Sequence, residues 1–352
     1  MKCSFRPLFG FLLLVVFVAA VTELQSIVLF QLQPPTPETL LKYAAIDTVE
    51  EQWKHEIQQL LDSNLGNQAR VPVTLRSPLF QRYLPDFQRA LRDWALKKSF
   101  QFQPNIMSEL TRLVKYPIEL VGSYERYSSC AVVGNSGILL NKDYGKMIDS
   151  HEVVIRLNNA RVEGFENKVG SKTNISFVNS NILHACARIV GKGCLCHSYG
   201  ADVATVMYIC QPAHFMDYIV CNSSLKAPLL VTDPRFDVLC ARIVKYYSLK
   251  LFFEETGKVL EQWGPAHDEV YFHYSSGFQA VMLALGICEN VSMLGFGKSA
   301  SAKHHYHTNQ RAELGLHDYE AEYAFYRDLL EGHKPIPFIS DNIKIPPLVM
   351  YQ

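Results

Sequence analysis

Two histidine-bearing segments, a serine pair and one glycine turn carry the residue types that move protons or hold phosphate. The first is His317-Asp-Tyr-Glu-Ala-Glu322. Imidazole is the side chain best matched to proton removal near neutral pH. Tyr319, Tyr323, Tyr326 and Leu330 recur at helical spacing, so a helix is expected to start near Asp318, which can cap it. His317 and Glu322 are five residues apart, about 140° around an ideal helix. They cannot share a helix face, so His317 must come from the entering loop. A histidine there is either a base or a structural residue.

The second is Lys303-His304-His305-Tyr306-His307. Zinc ligands are usually spaced more widely, and no fourth ligand is evident. A histidine beside Lys303 contacting a phosphate is a second reading, and a solvent-exposed loop a third. In Tyr274-Ser275-Ser276-Gly277, the following Phe278, Val281, Met282 and Leu285 form the buried stripe of a helix. Ser275 or Ser276 then caps that helix, and the same N-terminus is able to hold a phosphate. The unit Cys130-Ala-Val-Val-Gly-Asn-Ser-Gly137 reads as a strand and a turn. Its Gly-x-x-Gly spacing lets backbone approach a ligand, or simply makes a tight turn, but lacks the three-glycine dinucleotide fingerprint.

Elements that position these groups are short and alternate. Strands are expected at 131–133, 153–157, 203–209, 229–231 and 291–296, with a helix over about 236–249 and others near 38–62 and 85–98. The pattern predicts an α/β fold with a single Rossmann-like, mostly parallel sheet flanked by helices. Ligands of such sheets sit beyond the carboxyl ends of the strands, where the glycine turn and the asparagines fall.

At the N-terminus, Lys2 and Arg6 precede an apolar run from Leu8 to Val21 that resumes at Ile27–Phe30. The first run alone is shorter than the roughly 20 residues of a spanning helix. A cleaved signal peptide and a signal anchor both fit, and the resumption favours the anchor. The charge bias places the N-terminus in the cytosol. The expected organisation is a cytosolic tail (1–7), a signal anchor (8–30), a stem from Pro34-Pro35-Thr36-Pro37 into the domain (31–115) and a luminal catalytic domain (116–352). Sequons at Asn174, Asn222 and Asn290 agree with a lumen. Of nine cysteines, eight would be luminal, which permits full pairing or leaves several buried free thiols. Basic and acidic residues balance at 34 each, which argues against nucleic acid as a partner. No Asp-x-Asp occurs, which favours a monophosphate leaving group handled without a metal.

In this order the four units resemble the motifs of the sialyltransferase family. Cys130–Gly137, Arg156-Leu-Asn158 and Val169–Thr173 look like its large motif. Tyr274–Phe296 looks like the small one, His305–Thr308 the third, and His317–Glu322 the His-x4-Glu motif. The resemblance implies a variant GT-A-type fold that transfers an acidic sugar from a CMP donor to a glycan hydroxyl with inversion and without cofactor or metal. It implies that Asn135, Ser136 and Asn158 contact the nucleotide, with Ser275, Ser276 and Gly277 helping. His317 would be the general base and His305 would meet the leaving phosphate, supported by Glu322 and Tyr306. A Cys130–Cys288 disulfide is implied, as is a single-pass type II protein of the Golgi membrane acting on glycoprotein, glycolipid or polysaccharide; a homo-oligomer stays open.

Two departures matter. Thr308 stands where an acidic residue is usual, and the interval between His305 and His317 is short. Both traits are similar to plant sialyltransferase-like proteins, for which CMP-Kdo and a cell-wall pectic acceptor are an alternative. An inactive luminal scaffold is another, against which stands the presence of both histidines. Residues 180–270 are expected to shape the acceptor site.

Overall fold

The computed structural model describes residues 14–22, 34–47, 50–62, 81–98, 107, 109–110, 112–113, 125–187, 198–222, 226–267, 272–297, 302–308, 315–332, 335–339 and 343–352. Three helices come first, α1 (Pro37–Ala44), α2 (Glu50–Asp62) and α3 (Leu84–Lys98). The strand-bearing part follows: β1 (Cys130–Val133), β2 (Val153–Leu157), β3 (Ile175–Asn179), α4 (Ser180–Ala187), β4 (Ala204–Tyr208), α5 (Phe215–Asn222) and β5 (Leu229–Val231). Then come α6 (Pro234–Thr256), α7 (Ser276–Ile287), β6 (Val291–Leu294), α8 (Tyr319–Leu330) and β7 (Leu348–Tyr351).

The seven strands form one sheet in the order β5-β4-β3-β2-β1-β6-β7. Every pairing is parallel. Parallel strands need cover on both faces, and the continuous apolar runs Cys-Ala-Val-Val and Val-Val-Ile-Arg-Leu are buried throughout. The polar exception, Arg156, is 1% exposed, and its Nε donates to the Lys172 carbonyl at 3.1 Å and Thr173 Oγ1 at 2.9 Å. From β1 the chain steps outward to β5, then returns to the other side of β1 for β6 and β7. The strand order therefore reverses between β1 and β6, and a crevice opens at their carboxyl ends.

Helix α7 is apolar almost all round and lies at the centre, as a fully enclosed helix must. Helix α6 starts on an Asp233 cap with Pro234 in its first turn, and Gly257, at φ 63°, ends it in the left-handed conformation that glycine tolerates best. Cys130 and Cys288 form the implied disulfide, joining the start of β1 to the end of α7 with Cα atoms 6.0 Å apart. Cys221 is also disulfide-bonded. Cys210 and Cys240 are free, so full pairing of the eight cysteines is not reached. Cys240 is one of the buried thiols that the sequence left open.

Within 31–115, expected as a stem and entry to the domain, the described helices α1, α2 and α3 contribute walls of the packed body. Leu40 and Ala44 of α1 are buried against Leu249 and Phe252 of α6. Ile57, Leu60, Phe87, Leu91 and Trp94 of α2 and α3 pack on Met207 and Phe215. Burying a side chain of this size contributes about 1.5–3 kcal/mol, so five hold α2 and α3 firmly. Strands β3 and β7 are absent from the sequence-based expectation. β3 was hidden because Ile-Ser-Phe-Val-Asn follows directly on a polar motif, and β7 because two prolines precede a short run. Residues 14–22 are helical, and the rest of the expected anchor lies outside the described residues; among those described, no helix is long and apolar enough to cross a membrane. The three sequon asparagines, Asn174, Asn222 and Asn290, are exposed.

Candidate active site

The crevice beyond β1 and β6 opens into a cleft of about 970 Å³. It is lined by Asn135, Ser136, Asn158, Ser275, Ser276, Gly277, His305, His317 and Glu322 together. Four motifs scattered over nearly 190 residues thus meet in one place. The volume sits at the upper end for small-molecule sites, enough for more than one ligand group.

The glycine turn after β1 is shaped by close approach. A Cβ on Gly134 would lie 2.5 Å from the Gly295 carbonyl oxygen, and one on Gly137 2.6 Å from the Lys303 carbonyl oxygen. Ser136 is engaged by the scaffold: its hydroxyl donates to the Gly297 carbonyl at 2.7 Å and accepts from the Ile138 amide. Asn135 differs. Its backbone carbonyl accepts from the Tyr306 amide at 2.8 Å, while its buried carboxamide oxygen has no partner among the described residues.

Asn158 sits at φ 51°, a left-handed conformation that asparagine tolerates better than most. Its Oδ1 accepts from the Asn179 amide at 3.1 Å and its Nδ2 lies 3.5 Å from Ser276 Oγ. Asn179, which the sequence reading missed, reaches the same hydroxyl at 3.4 Å and keeps its own buried carboxamide oxygen unpartnered. The carboxyl ends of β1, β2 and β3 each deliver an asparagine, at 135, 158 and 179, and Asn179 was missed because β3 itself was hidden.

Ser275, not Ser276, caps α7, accepting from the Phe278 amide at 3.1 Å. Glu322, 2% exposed, accepts at 2.7 Å from both the Ser275 amide and its hydroxyl. Ser276, one residue into the helix, is left to Asn158, Asn179 and Tyr208. Asp318 caps α8, as its position implies, accepting from the Ala321 amide at 3.1 Å.

His317 comes from the loop before α8. Its Nδ1 is 3.1 Å from the His273 carbonyl oxygen. A carbonyl only accepts, so Nδ1 carries the proton and Nε2 is the basic nitrogen of the neutral ring. His305 is half-buried and lines the same cleft, with Thr308 Oγ1 3.5 Å from its Nδ1. Burial, with His304 and His307 adding to it, lowers the His305 pKa to about 4. Tyr306 anchors this loop through its amide to Asn135 and its hydroxyl to the Arg161 carbonyl.

The three neighbouring histidines do not converge as metal ligands do. The rings of His304 and His305 stack at 4.5 Å and those of His305 and His307 lie 6° from parallel. Among the described residues, one group has the ligand types and spacing for a cation: His184, His214 and Asp217, outside the cleft. Its Asp217 Oδ2 is 2.8 Å from His184 Nδ1 and the two imidazoles stack at 4.4 Å, the geometry of a hydrogen-bonded cluster.

Residues 81–334 match the family described as glycosyltransferase family 29 (sialyltransferase). The chain is 50% identical to the β-1,6-galactosyltransferase GALT29A of Arabidopsis thaliana, with all of both chains covered. It is 44% identical to sialyltransferase-like protein 1 of Oryza sativa subsp. indica, again over the whole of both. A mouse CMP-N-acetylneuraminate-β-galactosamide-α-2,3-sialyltransferase 1 is 27% identical over 65% of this chain and 66% of its own.

Proposed function

The chain belongs to glycosyltransferase family 29, and on that premise we propose that it moves galactose from a nucleotide-activated donor to a glycan hydroxyl, in one displacement that inverts the anomeric centre. The observation that carries the mechanism is the His317 tautomer: Nδ1 against the His273 carbonyl makes Nε2 the basic nitrogen of a ring that lines the cleft with Asn135 and Ser276.

His317 Nε2 takes the proton of the acceptor hydroxyl as its oxygen attacks the anomeric carbon. The leaving phosphate departs on the opposite face, toward the N-terminus of α7 and the His305 loop. His305, with its pKa lowered to about 4, is neutral at pH 7, and a phosphate beside it raises its proton affinity, so it donates to the departing oxygens. Asn135 and Asn179 offer their unpartnered carboxamide oxygens to the nucleotide, while Asn158 and Glu322 hold Ser276 and Ser275 in place.

Galactose as the sugar rests on the full-length likeness to a β-1,6-galactosyltransferase. A β-galactoside from an α-linked nucleotide donor requires a single inversion, which this one-base arrangement supplies. A second reading keeps a CMP-linked acidic sugar, sialic acid or Kdo, because the chain is also similar to a relative named for CMP-N-acetylneuraminate. Thr308 beside His305 is the departure that weighs toward a changed donor. On the family's likeness we place the enzyme in the Golgi lumen.

The deciding experiment offers the purified full-length protein UDP-galactose, CMP-sialic acid and CMP-Kdo separately, with β-galactan and pectic acceptors, with and without added divalent cation. Turnover of UDP-galactose alone is expected. Turnover of a CMP-sugar instead establishes the second reading, and nucleotide binding without transfer from any donor establishes a scaffold.

A further inference from the structure

The cleft extends past the strand ends to a second wall made by the N-terminal helices and α6. Trp53, Trp94, Lys98, Asp237 and Arg242 line it. Helices α1 and α2 precede residue 81, where the family match begins, so part of this wall lies outside the shared motifs. Lys245 Nζ fixes the chain after α1 to α6 by donating to the Ile46 carbonyl at 2.9 Å.

Two polar groups on this wall face the cleft with capacity to spare. Asp237 receives both of its hydrogen bonds on one oxygen, Oδ1, from Thr232 Oγ1 at 2.9 Å and from Gln279 Nε2. Its Oδ2 has no partner among the described residues. Burial pushes this carboxyl up to about 7, against the pull of those two bonds. Lys98 Nζ lies 3.9 Å from the Trp53 ring centroid and 5.9 Å from that of Trp94, within the electrostatic reach of Asp47 and Asp237. The two indoles stand 5.0 Å apart, tilted by 30°. Gln279 ties this wall to the nucleotide-facing one, since it belongs to the helix whose first residues are Ser276 and Gly277.

A carboxyl group that accepts when ionised and donates when protonated, an ammonium that donates and a partly exposed indole make up the chemistry of a sugar site. A pyranose presents hydroxyls that both donate and accept, together with an apolar C–H face. We infer that this wall is the acceptor subsite, in which Asp237 and Lys98 hold hydroxyls of the acceptor glycan beside Trp53 and so aim its reacting oxygen at His317. The inference rests on the glycosyltransferase reading, and it moves acceptor recognition from residues 180–270 alone to a wall shared with 37–98.

The test uses full-length Lys98→Ala and the near-isosteric Asp237→Asn. Binding of a β-linked galactobiose in the presence of nucleotide is read by saturation-transfer NMR, which needs no turnover, with thermal unfolding as the check on folding. Each variant is expected to weaken galactobiose binding about tenfold, the size of one lost hydrogen bond to a charged group, while the nucleotide Kd stays within about twofold. Where turnover is measured, the acceptor KM rises by the same factor. Unchanged galactobiose affinity in both folded variants overturns the inference. Galactobiose binding lost in the variants, with no donor turned over by the unaltered protein, upholds the subsite and sinks the donor assignment instead.

Discussion

Glu322 holds Ser275 by both carboxylate oxygens, taking the backbone N–H on Oε1 and the hydroxyl on Oε2, each at 2.7 Å. The glutamate that ends the His-x4-Glu motif therefore acts on a helix 47 residues away, setting the N-terminus of α7 that faces the cleft. Because the group is 2% exposed, Glu322→Ala strands the Ser275 amide in the protein interior. A loss of about 2–4 kcal/mol is expected from two charge-assisted bonds. Glu322→Gln keeps an acceptor for the amide and a donor for the hydroxyl, and should recover more than half of it. Denaturant unfolding of the three proteins reads the difference; equal stability of Ala and wild type would contradict this account.

His317→Ala should lower kcat by about 10²–10⁴-fold, the usual contribution of a positioned base, and leave the nucleotide Kd unchanged. Single-turnover kinetics with calorimetric nucleotide binding separates the two. A loss confined to KM would assign His317 to substrate binding.

The sheet was legible where apolar runs were bounded by turn residues, as at Val153–Leu157 and Leu229–Val231. It was not legible at β3, whose five residues carry Ser176 on an interior position. The helix starts at 276 and 319 were legible because capping is local: one side chain and an amide two or three residues on. What stayed hidden depends on long-range contact. Nothing near Ser136 shows that its hydroxyl belongs to Gly297, 161 residues away. Likewise the cysteine count could not tell Cys240, enclosed by the sheet-facing side of α6, from a disulfide partner. The role of α1–α3 was hidden for the same reason, since a proline-rich approach reads as a stem until its apolar stripe finds a surface.

Stability should fall on acidification through His305. Its folded pKa is held at about 4, below the ordinary 6.5, by burial and the adjacent His304 and His307. The unfolded chain binds the proton first, so the contribution is complete above about 6.5 and is lost as pH falls toward 4. With partial exposure discounted, about 1 kcal/mol should be gone by pH 5. Tm measured at pH 7 and pH 5 should therefore drop further for wild type than for His305→Gln. A parallel drop in both would show that His305 protonates without cost.

The Cys130–Cys288 bond closes a loop with a sequence separation of 158. Chain entropy assigns such a closure about 4–5 kcal/mol. Because both sulfurs are fully buried beside β1 and β6, the double Cys130→Ser, Cys288→Ser variant also places two hydroxyls in an apolar setting. Replacing both by alanine isolates the crosslink. The alanine pair should lose about the entropic amount in urea unfolding, and the serine pair more; equal losses would leave no separate cost for the buried hydroxyls.

Gly134 gives the sharpest steric test, because its neighbour is backbone. An added Cβ meets the Gly295 carbonyl oxygen at 2.5 Å and its carbon at 3.0 Å, and Gly295 itself sits at φ 76° with Leu139 against it. Neither side can yield without parting β1 from β6 at the crevice, where the Gly134 amide donates to the Leu294 carbonyl at 2.7 Å. Gly134→Ala should cost about 2–4 kcal/mol and displace Asn135, so nucleotide affinity falls along with stability. Gly164, at φ 82° with open space around it, serves as the comparison: Gly164→Ala should cost about 1 kcal/mol from backbone strain alone and leave nucleotide affinity intact. Were the two substitutions to weaken nucleotide binding equally, the close approach at the β1–β6 junction would have no part in shaping the site.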